Sequence, residues 1–188
     1  THDIQLMINL FRKVKKNTFR SISIPKFDKS IDDRCKKNSW FKLKKKPDIL
    51  ILEGWCVGAK PENSKSLKRP INVLEKNADN KKIWRSYVNN QLKSKYSKLF
   101  DQLDSLLYLK AKNFKLLKRW RLKQEKKLKM KSGTKKNSKI MNEKEVETFM
   151  MTYQRITQNM FKNTPKYSSA VIDLNEKHQI KKVKLTHA

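Results

Sequence analysis

The sequence predicts an α/β fold in which helices flank a mostly parallel β-sheet. Segments with helical periodicity alternate along the chain with short apolar segments, as in strands joined by crossover helices. In addition, residues 49–52 are four consecutive apolar residues, preceded by Pro47 and followed after one residue by Gly54. Their β-branched content and these flanks favour a strand buried on both faces, as in the middle of a parallel sheet.

The amino-terminal part of the chain is predicted to contain one helix and several extended segments. Apolar residues recur at helical spacing between residues 3 and 16, which predicts an amphipathic helix. Short extended segments are predicted at 21–25 and 40–43, on either side of a polar loop, and the core strand follows at 48–52. Residues 61–79 are rich in Asn, Ser, Pro and Lys, so we expect a loop there.

The rest of the chain alternates between helical and extended patterns. Asn142 and Glu145 have the spacing of a capping box, so a helix is predicted to begin between them. The predicted elements are, in order, a helix over 83–100, a strand over 103–109, a highly basic helix over 111–130, a loop over 131–139, the capped helix, a strand over 168–174, a turn over 175–178 and a strand over 180–185. No internal repeat is evident, so one domain is expected.

The net charge of +30 suggests a nucleic-acid or anionic-membrane ligand. However, Lys supplies most of the 47 basic residues, whereas specific contacts to phosphates and bases favour Arg. The lysines are also spread over the whole length rather than concentrated in one helix or tail. A basic nucleic-acid-binding protein is therefore the disfavoured alternative, although such a surface attracts any phosphorylated ligand.

The cysteines and the hydropathy of the chain indicate a cytoplasmic protein. Cys35 and Cys56 are the only cysteines, they form no CxxC motif, and the histidines lie far apart in the sequence. This pattern argues against a zinc site or a disulfide framework and indicates a reducing compartment. No apolar run approaches the roughly 20 residues of a membrane-spanning helix, so no membrane partner is expected.

Glu53 is the first candidate functional residue. It directly follows the predicted core strand, and the carboxyl ends of parallel strands face the ligand crevice of α/β sheets. A carboxylate there suits a water of a Mg²⁺ shell beside a nucleotide, and the alternative is a solvated Glu at a strand end. None of the three glycines belongs to a G-x-x-x-x-G-K-[ST] motif, so these residues include no phosphate-binding P-loop.

Four sequence motifs occur in an informative order. They are Thr-His-Asp at 1–3, Pro-Lys-Phe-Asp-Lys-Ser-Ile-Asp-Asp-Arg at 25–34, Ile-Leu-Glu-Gly-Trp-Cys-Val-Gly at 51–58 and Trp-Arg-Leu-Lys-Gln-Glu at 120–125. Together they resemble the glycerate kinase branch of the P-loop kinases related to pantothenate kinase, uridine kinase and phosphoribulokinase. The resemblance covers nearly the whole chain, and the third and fourth motifs are specific to that branch.

The resemblance implies an ATP-dependent kinase that uses Mg²⁺ and phosphorylates a small hydroxy acid, with glycerate as the expected acceptor. In such kinases the Walker A loop and a catalytic Asp precede the Thr-His-Asp motif. We therefore expect residues 1–188 to be the carboxyl-terminal part of a P-loop kinase domain, inactive by itself, with a lid helix and loop at 111–141. A non-catalytic kinase-like scaffold that has lost its phosphate loop is the alternative.

The resemblance also implies roles for individual residues. Glu53 matches the acidic residue that supports Mg²⁺ through water. Residues 27–34 match the acceptor-binding loop, whose Arg34 suits a substrate carboxylate; an ion pair within the loop that only orders the backbone is the alternative. Arg119 and Arg121 match the lid that closes over the phosphates, unless they belong to a solvated basic face. The expected substrate-binding residues are Asp28, Lys29, Asp32 and Arg34.

Overall fold

The computed structural model describes residues 2–28, 33–132 and 140–186, and these residues form a mixed α/β fold. The helices of this part are α1 (Ile4–Lys16), α2 (Val73–Asn77), α3 (Ile83–Gln91), α4 (Ser97–Phe100), α5 (Phe114–Ser132) and α6 (Glu143–Asn163). Its strands are β1 (Ile22–Ile24), β2 (Phe27–Asp28), β3 (Asp33–Arg34), β4 (Phe41–Leu43), β5 (Leu107–Lys110), β6 (Ala170–Leu174) and β7 (Ile180–Leu185). None of these helices combines the length and apolar character needed to cross a lipid bilayer.

α1 forms where its apolar periodicity predicts a helix. The Asp3 carboxylate accepts a hydrogen bond from the Leu6 N–H at 3.1 Å, which satisfies one free amide of the first turn. Asn17 ends the helix in the left-handed region, with a φ of 51°. The buried face consists of Ile4, Ile8, Phe11 and Val14. Most of this face packs against Leu99 of α4, which holds the helix to the core.

The described strands form three small sheets. β1 pairs antiparallel with β4, and β2 pairs antiparallel with β3. The third sheet has the order β5-β6-β7, in which β6 is parallel to β5 and antiparallel to β7. β5 and β6 are the one parallel pair in residues 2–28, 33–132 and 140–186, so the mostly parallel sheet is not found in this part of the chain. The predicted extended segments at 21–25, 40–43, 168–174 and 180–185 are confirmed as strands, within a few residues.

The prediction of a core strand over 48–52 is wrong. These residues have no regular secondary structure, and no backbone hydrogen bond joins residues 47–54 to the other described residues. Ile49 is 78% exposed and Ile51 is 82% exposed, whereas a strand buried on both faces would hide both side chains. Side-chain propensity alone does not make a strand, because the backbone N–H and C=O groups also need the edge of a neighbouring strand as partner.

The elements after residue 80 follow the predicted order with shifted boundaries. α3 and α4 are joined by a π-helical turn, Leu92–Tyr96, so the predicted helix over 83–100 is confirmed as one helical segment. The next strand begins only at Leu107, because Leu103 is still part of the turn that ends α4 and packs on the α1 cluster. The capping box of Asn142 and Glu145 starts α6 as predicted. Val146 and Met150 of α6 are fully buried.

A buried ion-pair network joins α6 to the segment that was predicted as a loop over 61–79. Arg155 donates to the two Glu75 carboxylate oxygens at 2.7 and 2.6 Å, and also to the carbonyls of Ser66 and Arg69. Burial alone raises the pKa of Glu75, but the hydrogen bonds from Arg155 and a backbone N–H outweigh it, so the pKa lies below its ordinary value. The segment is therefore ordered and contains α2 and a 3₁₀ turn, Ser64–Lys68.

Candidate functional site

An open cleft of about 1280 Å³ lies beside β5. Every residue of the runs 46–55 and 102–109 lines it, and the second run leads into β5. Side chains from α1, α5 and α6 also line the cleft, together with Lys177 and His178 from the turn between β6 and β7. Two of the sequence motifs, at 51–58 and 120–125, therefore meet in one cavity although they lie far apart in the sequence.

Glu53 is exposed and lines this cleft just before a tight turn over residues 55–58. Gly58 has a φ of +78°, and a Cβ at this position would lie 2.6 Å from Leu106 Cδ2. The turn therefore favours glycine here mainly for the backbone conformation, since the atoms that a Cβ would meet are the ends of a Leu side chain that can shift. The Gly58 carbonyl accepts a hydrogen bond from the Tyr167 hydroxyl at 2.9 Å, which ties the turn to the segment before β6. These contacts fix the path of the chain next to Glu53.

Arg121 lines the same cleft from α5. Its guanidinium forms an ion pair with Glu125 and donates to the Gln124 amide oxygen at 2.7 Å, while its centre lies 5.2 Å from the centroid of the Phe149 ring. The Arg121 Nε–H is buried and finds no hydrogen-bond partner among the described residues. Glu125 is itself buried and accepts a hydrogen bond from the Met141 N–H at 3.1 Å. Arg121 is thus held in place by fixed partners.

Arg119 does not line the cleft but helps to attach α5 to the turn between β6 and β7. Its Nη2 lies 3.1 Å from a carboxylate oxygen of Glu176, and both side chains are exposed. The neighbouring Trp120 donates to the Glu176 carbonyl at 3.0 Å, and its ring stacks on His178 with the centroids 4.1 Å apart. The two arginines of the lid motif therefore have different surroundings, and sequence reasoning did not foresee the contacts of α5 with this turn.

Arg34 of the acceptor loop contacts the start of α1. Its Nη2 donates to the Asp3 carboxylate at 2.9 Å, and both side chains are partly exposed. The hydrogen bond from the Leu6 N–H and the Arg34 guanidinium lower the pKa of Asp3 below its ordinary value. The pair therefore joins the loop to the cap of α1.

The other acceptor-loop residues are placed in different environments. Asp28 is half-buried in β2, and Asp33 is exposed in β3, where it accepts a hydrogen bond from the Arg34 N–H at 2.6 Å. Lys29 and Asp32 lie outside the described residues, as do Thr1 of the first motif and residues 133–139 of the lid loop. None of the loop residues that the structure describes lines the cleft of Glu53 and Arg121.

The cleft carries more basic than acidic side chains. Its charged residues are Asp48, Glu53 and Asp104 on the acidic side and Lys15, Lys46, Arg121, Lys123, Lys127 and Lys177 on the basic side. Lys15 pairs with Asp104 at 2.7 Å, so the remaining excess of positive charge favours an anionic ligand such as a phosphate chain.

The donor set of the cleft fits one mode of magnesium binding and not another. Across the described residues, no group of three or more His, Cys, Asp and Glu side chains is arranged to hold a metal ion. A metal site built from protein ligands alone is therefore not formed in this part of the chain. Mg²⁺ is more often bound by one or two carboxylates, with phosphates and water as its other ligands. Glu53 is suitably exposed for this second mode.

Comparison with curated proteins identifies kinases as relatives of the chain, and no protein-family model matches it. The chain is 33% identical over 159 residues to the uncharacterized kinase mug58 of Schizosaccharomyces pombe, a match that covers 81% of the chain and 54% of that protein. It is 24% identical over 131 residues to the chloroplastic D-glycerate 3-kinase of Arabidopsis thaliana, covering 66% of the chain and 26% of that protein. The chain thus spans about half the length of the first relative and a quarter of the second.

Two solved structures share the fold of the chain. The D-glycerate 3-kinase from Cryptococcus neoformans var. grubii superposes with a TM-score of 0.80 at 22% identity, over 99% of this chain and 67% of that chain. The YGR205w protein superposes with a TM-score of 0.70 at 24% identity, over 100% of this chain and 65% of that chain. The resemblance to glycerate kinases that rests on the four motifs is confirmed by these comparisons.

Proposed function

We propose that the chain is the carboxyl-terminal part of an ATP-dependent small-molecule kinase that phosphorylates a hydroxyl group of glycerate. The main support is the cleft that Glu53 and Arg121 line together, since their motifs match magnesium support and the phosphate lid. The similarity to a kinase and to two D-glycerate 3-kinases supports the same reaction class. The basic lining of the cleft suits the polyphosphate of a nucleotide.

In this proposal residues 1–188 are one incomplete P-loop kinase domain, and 111–141 is its lid. The sequence contains no G-x-x-x-x-G-K-[ST] motif, and it spans only about half of the S. pombe relative. The phosphate loop would then belong to the remaining part of the encoded polypeptide. The 188 residues by themselves are expected to transfer no phosphoryl group, because the loop that holds the nucleotide is not among them.

The residues of the cleft would act on the phosphate side of the reaction. Glu53 would hold Mg²⁺ through water, with its carboxylate as acceptor. When bound, Mg²⁺ neutralises the charge that develops on the phosphates during transfer. Arg121 would donate hydrogen bonds to phosphate oxygens from the part of its guanidinium that reaches the cleft. Arg119, which pairs with Glu176, would keep the lid helix at the turn next to the cleft.

The acceptor loop would bind the hydroxy acid. Arg34 suits the glycerate carboxylate, because a guanidinium binds a carboxylate through two parallel hydrogen bonds. Its partner in the structure is the Asp3 carboxylate, which the carboxylate of the acceptor would displace on binding. Asp28 and Asp32 would accept hydrogen bonds from the hydroxyl groups, and Lys29 would add positive charge near the acid.

The test uses the polypeptide encoded by the complete open reading frame that contains these residues. ADP formation is followed in a coupled assay with glycerate and MgATP, and the product is identified by mass. Glu53→Gln is expected to lower the activity by about 10- to 100-fold and to raise the Mg²⁺ requirement, as does loss of a residue that orients metal ligands. Glu143→Gln, at an exposed position outside the cleft, is the matched control and is expected to leave both unchanged.

Two results would contradict the proposal. One is the absence of glycerate-dependent ADP formation by the complete polypeptide. The other is a Glu53→Gln variant with the activity and Mg²⁺ requirement of the control. Binding of DNA or RNA that weakens steeply with salt, together with no kinase activity, would favour the nucleic-acid alternative instead.

A further inference from the structure

The first residues of the chain contain a side chain that the proposed function does not use. His2, from the Thr-His-Asp motif, lies one residue before Asp3, whose carboxylate pairs with Arg34 of the acceptor loop. The Asp3 side chain caps α1, and the His2 carbonyl accepts a hydrogen bond from the Ile4 N–H at 3.0 Å. The start of the helix is thus secured by groups other than the His2 imidazole, so the position of this ring needs another explanation.

The imidazole of His2 is held by a tyrosine that is distant in the sequence. Its Nδ1 lies 2.9 Å from the hydroxyl oxygen of Tyr96, 94 residues away, and the two rings meet edge to face with their centroids 6.2 Å apart. His2 is exposed, and its Nε2 has no hydrogen-bond partner among the described residues. A hydrogen bond at Nδ1 fixes the orientation of an imidazole ring and leaves Nε2 for another group.

Tyr96 is itself placed by packing on two sides. It ends the π-helical turn Leu92–Tyr96, and such turns are frequent at functional sites. Its half-buried ring packs against the α1 cluster that contains Ile4, and also against a second cluster that Cys56 of the motif at 51–58 joins. Burial raises the pKa of the Tyr96 hydroxyl, so this group is protonated at neutral pH and can donate a hydrogen bond.

We propose that His2 is a further substrate-binding residue, whose Nε2–H donates a hydrogen bond to the carboxylate of the hydroxy acid held by Arg34, and that Tyr96 positions it. This inference rests on the proposed function. When the Tyr96 hydroxyl donates to Nδ1, the imidazole proton lies on Nε2, so the exposed side of the ring offers a donor. The neighbouring Asp3 carboxylate only accepts hydrogen bonds, so His2 supplies the donor that a substrate carboxylate at this place requires.

The competing role of the pair is structural. A hydrogen bond between His2 and Tyr96 without any substrate contact would only attach the start of α1 to the helical segment that follows α3. The two roles differ in the ring nitrogen that matters, because Nδ1 serves both and Nε2 serves only the substrate. The side-chain amide of Asn reaches the position of Nδ1 but not that of Nε2. His2→Asn therefore keeps a group that faces Tyr96 and removes the proposed substrate donor.

The test measures Michaelis constants of the polypeptide encoded by the complete open reading frame, with glycerate and MgATP varied in turn. His2→Ala and His2→Asn are each expected to raise the KM for glycerate by about tenfold or more, as does loss of a hydrogen bond to a charged group. Tyr96→Phe keeps the ring but frees the imidazole to rotate, so a rise of about threefold is expected. The KM for ATP should change less than about twofold, because only glycerate binding is lost.

Tyr87→Phe is the matched control. Tyr87 is exposed on α3, and its ring contacts Trp84 rather than His2, so this variant is expected to leave both Michaelis constants unchanged. The double variant of His2→Ala and Tyr96→Phe is expected to have no higher KM for glycerate than His2→Ala alone, because Tyr96 acts through His2. A purely structural role of the Tyr96 hydroxyl would not produce this dependence.

Two results would overturn the inference while the proposed function stands. One is a glycerate-dependent kinase whose His2→Asn variant keeps the normal KM for glycerate, which would assign the pair to the structural role. The other is a double variant in which the two single effects multiply. If Tyr96→Phe does not fold, as judged by urea unfolding, the His2→Asn variant decides by itself. A complete polypeptide without glycerate-dependent ADP formation would reject the proposed function and this inference together.

Discussion

Replacement of Glu75 by Gln tests the buried ion pair that orders the segment between residues 61 and 79. Gln has nearly the shape of Glu but carries no charge, so it removes the charge-assisted pairing with Arg155 while the packing is preserved. The side chains of Arg155 and Glu75 are only 10% and 11% exposed, so water can replace little of the lost interaction. Removing one partner of such a pair costs about 3–5 kcal/mol when the other charge stays buried. Arg155 keeps a longer ion pair with Glu62, at 3.4 Å, so the loss is expected at the lower end of this range.

The assay is urea unfolding at neutral pH. With a slope of about 2 kcal/mol per M, a loss near 3 kcal/mol lowers the unfolding midpoint of Glu75→Gln by about 1.5 M. Arg155→Met alone is expected to be similarly destabilising, because it leaves the Glu75 carboxylate buried without its partner. The double variant removes both charges, so its loss of stability is expected to be smaller than the sum of the two single losses.

The exposed pair of Lys118 and Glu147, which joins α5 to α6, provides the control. Glu147→Gln is expected to change stability by at most about 1 kcal/mol, as is usual for solvent-exposed ion pairs. A Glu75→Gln variant that loses no more than this control would refute the reasoning, because Arg155 would then not depend on the Glu75 charge. Strict additivity of the Glu75 and Arg155 variants would refute it as well.

Three further predictions concern backbone strain, pH and thiol reactivity. Gly58→Ala is expected to lower the free energy of unfolding in urea by about 1–3 kcal/mol, because the φ of Gly58 is positive and an added Cβ would meet Leu106. Gly54→Ala is the control and should lower it less, because Gly54 has a single 3.2 Å contact and no positive φ. The pKa of Glu75 is lowered in the folded protein, so the stability that Glu75 contributes is complete above the ordinary glutamate pKa and is lost as pH falls through the lowered pKa. The urea midpoint of the Glu75→Gln variant should therefore fall less steeply with acid than that of the unmodified chain. Burial raises the pKa of the Cys56 thiol to about 11, so little of it is the reactive thiolate at pH 8. A disulfide reagent should therefore leave Cys56 unmodified in the native protein and modify it after unfolding. Fast modification of the native protein would contradict this prediction.

The elements that the sequence predicted well are those whose determinants lie within a few residues of one another. α1 follows from apolar spacing, and α6 follows from the capping box of Asn142 and Glu145. The tight turn between β6 and β7 follows from its local residues in the same way. The motif around Glu53 was recognised for the same reason, since it is a continuous run of residues, and so was the lid motif around Arg121.

The predictions that failed or stayed incomplete depend on contacts between distant residues. Residues 48–52 have the composition of a core strand, but their backbone groups pair with no strand among the described residues. Arg34 was expected to bind a carboxylate, and only the tertiary structure identifies Asp3 as its partner. The pairing of Glu75 with Arg155 had no local signal, because 80 residues separate the two.

The sequence by itself therefore determined the helices, the caps and the motifs, because short-range sterics, periodicity and hydrogen bonding to neighbouring residues decide them. Only the tertiary structure decided that Glu53 and Arg121 share a cleft, and that the acceptor loop joins α1 instead. Among the residues that the structure describes, it also leaves one edge of β5 unpaired beside the apolar segment 48–52. Such arrangements depend on how distant segments pack, and the local sequence of each segment does not encode its neighbours.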